Sequence, residues 1–204
     1  MSMRLATFAV LLSALIAASG RPGAADDGFR INLGKDSPAL HMVTGDQNVF
    51  ITPAFEDYSY ILFDLCDAMN LKVSEGCNIY PMNGSIGKNA IATIEDGNRV
   101  IVYDRELSPL VGYPGAMMII GHELGHHFCH HISDGRGSQP DKELAADRFA
   151  GSAMRKAGFK LDDALAMLSV LDERPSKSHP ARADRAVSIT DGWNHPETGK
   201  ECRP

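Results

Sequence analysis

His122-Glu123-Leu124-Gly125-His126, an H-E-x-x-H pattern, stands inside the longer run from Pro114 to Ile132, which reads as a helix. In a helix, residues i and i+4 lie on one face with Cβ atoms about 5–6 Å apart. Two imidazoles at that spacing can hold one metal, and zinc–nitrogen bonds of about 2.0–2.1 Å fit the gap. Glu123 is turned by about 100° from His122 around the helix axis. Its carboxylate therefore flanks such a metal, where it can take a proton from an attacking water. The competing reading is a histidine-rich solvated face. His127, His130 and His131 follow at once and add the pairs 126/130 and 127/131.

A second helix is expected from Asp141 to Ala157, with Gly158 as its stop. It carries Glu143-Leu144-Ala145-Ala146-Asp147, two carboxylates at i and i+4. The loop from Ser133 to Pro140 is short enough for this helix to pack antiparallel on the first, which brings Glu143 within reach of the metal as third ligand. Three protein ligands leave a fourth position open, the pattern of catalytic rather than structural sites. Asp147 would accept the other ring N–H of a ligating histidine and fix its tautomer. Alternatively both acids are solvated partners of Lys142 and Arg148. A third histidine ligand in the pattern H-E-x-x-H-x-x-G-x-x-H is excluded, because Cys129 and Ile132 occupy the positions that need Gly and His. Cys129, seven residues after His122, is on the same face and is a further ligand candidate.

Upstream, Tyr58, Ile61, Leu62, Leu65 and Met69 recur at helical spacing and predict a packing helix over 54–71. Strands are expected at 78–82, 89–95 and 99–105, the last two joined as a hairpin at Asp96-Gly97-Asn98. The strand Arg99 to Tyr103 is either central or an edge, and an edge beside a metal could bind an extended peptide by main-chain hydrogen bonds. Residues 107–113 read as a linker, with Pro114 in the first turn of the metal helix. Further helices are expected at 161–171 and from about Pro180. The fold expected is helix-rich α+β, a zincin-like domain with a small sheet packed on about four helices.

The chain has 204 residues and a net charge of −6. Met1 to Arg4 is positively charged, Leu5 to Ala18 is apolar and uncharged, and small residues follow to Ala25. This is the form of a secretory signal peptide, too short to span a bilayer of about 30 Å, with cleavage after Gly20 or Ala25. Its removal takes away Arg4 and Arg21 and no acid, so −6 becomes −8. An acidic mature chain argues against nucleic acid and anionic membranes as partners. Residues 26–54 read as a loop-rich lead-in, 55–190 as the domain and 191–204 as a tail. An exported chain makes up to two disulfides from Cys66, Cys77, Cys129 and Cys202. Three pairings are possible; Cys66 with Cys77 and Cys129 with Cys202 is favoured, leaving the others open.

The order of parts resembles the gluzincin metallopeptidases. H-E-x-x-H is followed by Glu143-x-x-Ala146-Asp147-x-x-Ala150, the helix end Ala157-Gly158-Phe159, and His179-Pro180 ahead of Arg185. Within that group the chain is similar to the family of HtpX, the periplasmic and mitochondrial quality-control proteases and the CAAX prenyl endopeptidases. Asn89-Ala90-Ile91-Ala92 resembles that family's substrate-binding edge strand. The resemblance implies His122, His126 and Glu143 as ligands of one Zn2+ per chain, Glu123 as general base and Asp147 as the partner of a ligating histidine. It further implies Asn89 and Ala90 as backbone contacts to substrate, His179 as stabiliser of the oxyanion and Arg185 as the residue orienting it. Two departures stand out: the short gap between His126 and Glu143, and the lack of transmembrane helices after the signal.

Together these readings predict a periplasmic or secreted zinc endopeptidase acting on unfolded or extended polypeptides, with a role in envelope protein quality control. The alternatives are a non-catalytic zinc-binding module or chaperone-like adaptor using the same groove, and a metal buffer built on the histidine cluster. Glu123 separates them, since a structural site has no use for a base beside an open ligand position.

Overall fold

Two strands stand where the sequence suggests only a loop-rich lead-in: β1, Leu40–Thr44, and β2, Gln47–Pro53, paired antiparallel. In β2, Asn48, Phe50 and Thr52 are exposed while Val49 and Ile51 are buried, the period-2 alternation of a half-buried strand. The computed structural model describes residues 40–44, 47–54, 57–132, 138–171 and 173–204. The expected signal segment 1–25 and the lead-in up to residue 39 lie outside the described residues.

The chain continues through α1, Asp57–Ala68, then β3, Tyr80–Gly84, β4, Ala90–Glu95, and β5, Asn98–Tyr103. These five strands form one sheet in the order β1-β2-β3-β5-β4, parallel between β3 and β5 and antiparallel elsewhere. The hairpin joining β4 to β5 turns at Asp96 (φ 49°) and Gly97 (φ 79°). Positive φ at both central residues is the type I′ geometry that matches strand twist. Arg99–Tyr103 is thus interior to the sheet, and Ala90–Glu95 is the edge.

Four more helices follow: α2, Ser108–Phe128; α3, Pro140–Lys156; α4, Leu161–Leu165; and α5, Arg182–Asn194. The segment read as a linker, 107–113, is already helical as far as a break at Gly112 (φ 63°, ψ −176°), after which Pro114 opens the straight part of α2. The helix expected over 161–171 is α-helical only to Leu165 and tightens into a 3₁₀ turn, Ala166–Val170. The expected tail is no appendage: α5 runs to Asn194, and the 3₁₀ turn Pro196–Glu201 packs on α3. The fold is α+β and rich in helix.

The main core lies between one face of the sheet and the helices, with Ile101 and Tyr103 meeting Leu62, Leu65, Met118, Ile120, Phe149 and Met154. The opposite sheet face buries a smaller cluster around Met42, Val49, Ile51, Met82, Val100 and Val102. Disulfides join Cys66 to Cys77 and Cys129 to Cys202. The first closes α1 onto the loop before β3, and the second fastens the chain's last turn to the end of α2.

What brings α3 to the metal motif is small side chains. Gly125, inside H-E-x-x-H, faces Ala146, and a Cβ on it would sit 3.1 Å from the Ala146 Cα. One turn back, Gly121 meets Ala150, whose Cα would lie 3.5 Å from such a Cβ. The two helices approach closely enough for short carboxylate side chains on α3 to reach imidazoles on α2.

Candidate metal centre

His122 and His126, one turn apart on α2, aim their Nε2 atoms at a common point, 3.0 Å from each other. Glu143, in the first turn of α3, completes the group from the facing helix. Its Oε2 is 3.2 Å from His122 Nε2 and its Oε1 3.5 Å from His126 Nε2. A helix N-terminus favours a carboxylate there, and Ser138 Oγ also donates to Glu143 Oε1. Bond lengths of about 2.0–2.1 Å at tetrahedral angles separate ligand atoms by about 3.3–3.4 Å. The donor set therefore fits one small cation. Among the described residues, His122, His126 and Glu143 are the group of this kind.

Asp147, fully buried one turn further along α3, lies 2.8 Å from His122 Nδ1 through Oδ1. Arg185 of α5 donates to both Asp147 oxygens, from Nε to Oδ2 and from a terminal nitrogen to Oδ1, each at 2.7 Å. Arg185 thus serves Asp147. The same terminal nitrogen lies 3.3 Å from His122 Nδ1, and Arg185 lines the cleft together with His179. Burial works against charge on His122, but the Asp147 and Glu143 carboxylates overcome it and push its pKa up to about 10. His126 has no such carboxylate on its other nitrogen. Burial and the neighbouring charge of His122 bring it down to about 2.

Glu123 is buried beside this group and turned toward the sheet edge, where its Oε2 accepts the backbone N–H of Ala92 at 2.7 Å. Burial pushes its pKa up; the His122 charge opposes, the Glu143 carboxylate adds to the rise, and the Ala92 N–H opposes again. The Ala92 hydrogen bond follows from strand register. Ala90 and Ala92 pair with Tyr103 and Ile101 across the hairpin, and the residues between them make the ladder bonds, so both turn their own backbone groups outward. Asn89 lines the same cleft, with its carbonyl taken by the Asp104 N–H at 3.0 Å. Asp104 also accepts from the N–H groups of Ile86 and Lys88, pinning the approach to β4.

The donors open onto a cleft of about 700 Å³. It is lined by polar groups that include Glu123, Glu143 and His179 and by the apolar side chains of Leu107, Leu110, Ile119, Met167 and Val170. His179 is 53 % exposed at the side chain, with Nε2 4.0 Å from Glu143 Oε2 and Nδ1 2.8 Å from Ser178 Oγ.

Two candidates fall away. Cys129 is bonded to Cys202 and is no ligand. A solvated histidine face is also ruled out, since His122 and His127 are buried. His127 donates from Nε2 to the Val100 carbonyl at 2.8 Å and accepts at Nδ1 from Arg99 Nε at 3.4 Å. Sequence reasoning passed over the Ala92 N–H, Ser138 and His131, whose Nδ1 is 3.0 Å from His126 Nδ1. Only His131 left a trace there, as one of several histidines.

Compared with known proteins, the chain matches no family model, no curated protein and no solved structure. No helix among the described residues is long and apolar enough to cross a membrane.

Proposed function

We propose that this chain is a zinc-dependent endopeptidase of zincin-like fold that cuts extended polypeptides. The observation that carries the reading is the buried Glu123 carboxylate, held by the sheet edge beside three converging metal donors at the floor of an open cleft. A Zn2+ ion held by His122, His126 and Glu143 would supply Lewis acidity, polarising a substrate carbonyl and acidifying water. Glu123, with its pKa pushed up by burial, takes the proton of the attacking water and returns it to the leaving amine. Asp147 and Arg185 hold the His122 ring in place. The outward backbone groups of Ala90, with the Ala92 carbonyl, receive the substrate as an added strand. His179, at the cleft mouth, donates a hydrogen bond to the developing oxyanion. The apolar side chains lining the cleft favour a substrate with large apolar side chains. An acidic chain held by two disulfides suits work outside the cytoplasm, in the periplasm or beyond the cell, and unfolded envelope proteins fit such a cleft.

The test is hydrolysis of an unfolded model protein by wild type and Glu123→Gln, with zinc counted in both. Activity in wild type, about one zinc in each, and a rate lowered about 10²–10⁴-fold in the variant support the reading. One zinc in each and no cleavage by wild type would replace it with a non-catalytic zinc-binding module.

A further inference from the structure

The two imidazoles of the metal centre are supported differently. His122 has Asp147 on its second nitrogen; His126 has His131. The distance from His126 Nδ1 to His131 Nδ1 is 3.0 Å, and the rings meet nearly edge to face, with centroids 5.1 Å apart and planes at 71°.

His131 reaches that place through the way α2 ends. His130 takes a left-handed conformation, φ 57°, unusual for a residue with a side chain. The chain then folds back so that the His131 N–H donates to the His126 carbonyl at 3.0 Å, and the His130 N–H to the His127 carbonyl at 3.2 Å. This is the backbone pattern of a Schellman cap, in which the residue after the left-handed one bonds back to the last full turn. The residue bonded is the candidate ligand itself. Two further ties hold the turn: Lys142 of α3 donates to the His131 carbonyl at 2.8 Å, and Cys129 is bonded to Cys202.

We propose that His131 is a positioning residue for the metal centre: its Nδ1 accepts the Nδ1–H of His126 and so fixes the tautomer that presents His126 Nε2 to the cation. The inference rests on the metal-binding reading above. A ligating Nε2 must give up its proton, so the one proton of a neutral His126 sits on Nδ1, and a buried N–H without an acceptor is costly. His131, carrying its own proton on Nε2, is that acceptor. A histidine ligand with a fixed partner on its other nitrogen binds metal about 10–100-fold more tightly than one without.

The test compares wild type, His131→Asn and His131→Leu as full disulfide-bonded chains, measuring Zn2+ affinity against a chromophoric chelator. An asparagine oxygen can stand where Nδ1 stands; leucine keeps bulk and offers no acceptor. The expected result is a loss of about 10–100-fold in His131→Leu and of less than about threefold in His131→Asn. In ¹⁵N-labelled zinc-loaded wild type, a scalar coupling between the Nδ1 nuclei of His126 and His131 reports the hydrogen bond directly, and this measurement stands if the leucine variant does not fold. Wild-type affinity in His131→Leu, an equal loss in both folded variants, or no coupling in wild type would each overturn the proposal. If wild type binds no zinc, the metal reading fails and this inference with it; a zinc-binding wild type matched by His131→Leu sinks this inference alone.

Discussion

Arg185 grips Asp147 through two hydrogen bonds of 2.7 Å, with both side chains closed off from solvent and the His122 ring against the same carboxylate. Removing one partner of such a buried pair strands the other charge and costs about 3–5 kcal/mol. Asp147→Ala and Arg185→Ala are each expected to lower the urea unfolding free energy by about that amount. The double variant should lose less than the sum, because neither charge is then left alone. Additive losses would mean that the pair contributes nothing beyond its separate parts.

The position of Arg185 depends on how closely α5 lies against α3. A methyl group on Gly151 would collide with the Ile189 carbonyl oxygen, and one on Gly192 with that of Arg148. Backbone is met by backbone in both places, so a side chain forces the helices apart. Alanine gains about 1 kcal/mol in helix propensity over glycine, and overpacking costs about 1–3 kcal/mol. Gly151→Ala and Gly192→Ala are expected to be destabilising on balance in thermal unfolding. Both should also weaken zinc binding, because Arg185 moves with α5. Unchanged affinity in a destabilised variant would show that the centre tolerates the displacement.

Much of the site could be read because its parts repeat at helical spacing. His122 and His126 on α2, like Glu143 and Asp147 on α3, are i and i+4 pairs, and the short loop between the helices left antiparallel packing as the simple arrangement. The strands β1 and β2 were missed because Val49, Phe50 and Ile51 read as an unbroken apolar run, and the exposure of Phe50 is set by its neighbours in the sheet rather than by its type. That α2 ends at Phe128, ahead of the loop expected from Ser133, has a related reason. Nothing in His130 as a residue announces φ 57°; the turn is held by the Cys129–Cys202 bond and by Lys142, both distant in sequence. His131 was therefore visible only as one of a cluster. The backbone donor to Glu123 has no sequence signature at all, since any residue at 92 other than proline could supply that N–H.

The disulfides differ in what they constrain. Cys66 and Cys77 are 11 residues apart, and Cys129 and Cys202 are 73 apart. By chain entropy the short loop is worth about 3 kcal/mol and the long one about 4 kcal/mol. The Cys129–Cys202 pair also ties down the turn that carries His131. Replacing it with serines should therefore cost more in unfolding free energy than replacing Cys66 and Cys77, and of the two double variants it alone should lower zinc affinity. Equal zinc affinities would place the disulfide's effect wholly in the unfolded chain.

The metal-free protein should be most stable near neutrality, because its histidines are shifted in opposite directions. His126 and His127 have folded pKa values of about 2 and about 4, below the unfolded value of about 6.5. Burial is the first cause for both. Their contribution is complete above about pH 6.5 and is lost as the pH falls, because the unfolded chain then binds two protons that the fold refuses. His122 is shifted the other way, to about 10. Its contribution is complete below about pH 6.5 and is lost as the pH rises toward 10, because the fold holds a proton that the unfolded chain releases. The limiting slopes are about 2.7 kcal/mol per pH unit on the acid side and about 1.4 kcal/mol on the alkaline side. Zinc changes both limbs: with the His122 proton displaced, the acid limb steepens to about 4.1 kcal/mol per pH unit and the alkaline limb vanishes. Binding at His122 Nε2 displaces its proton, so apparent affinity should rise by up to tenfold per pH unit between about pH 7 and 9. The loaded protein should show no alkaline decline over that range. Urea unfolding from about pH 5 to 9, with a chelator and with saturating zinc, checks both halves. An alkaline limb that persists with zinc bound would mean that His122 keeps its proton and is no ligand.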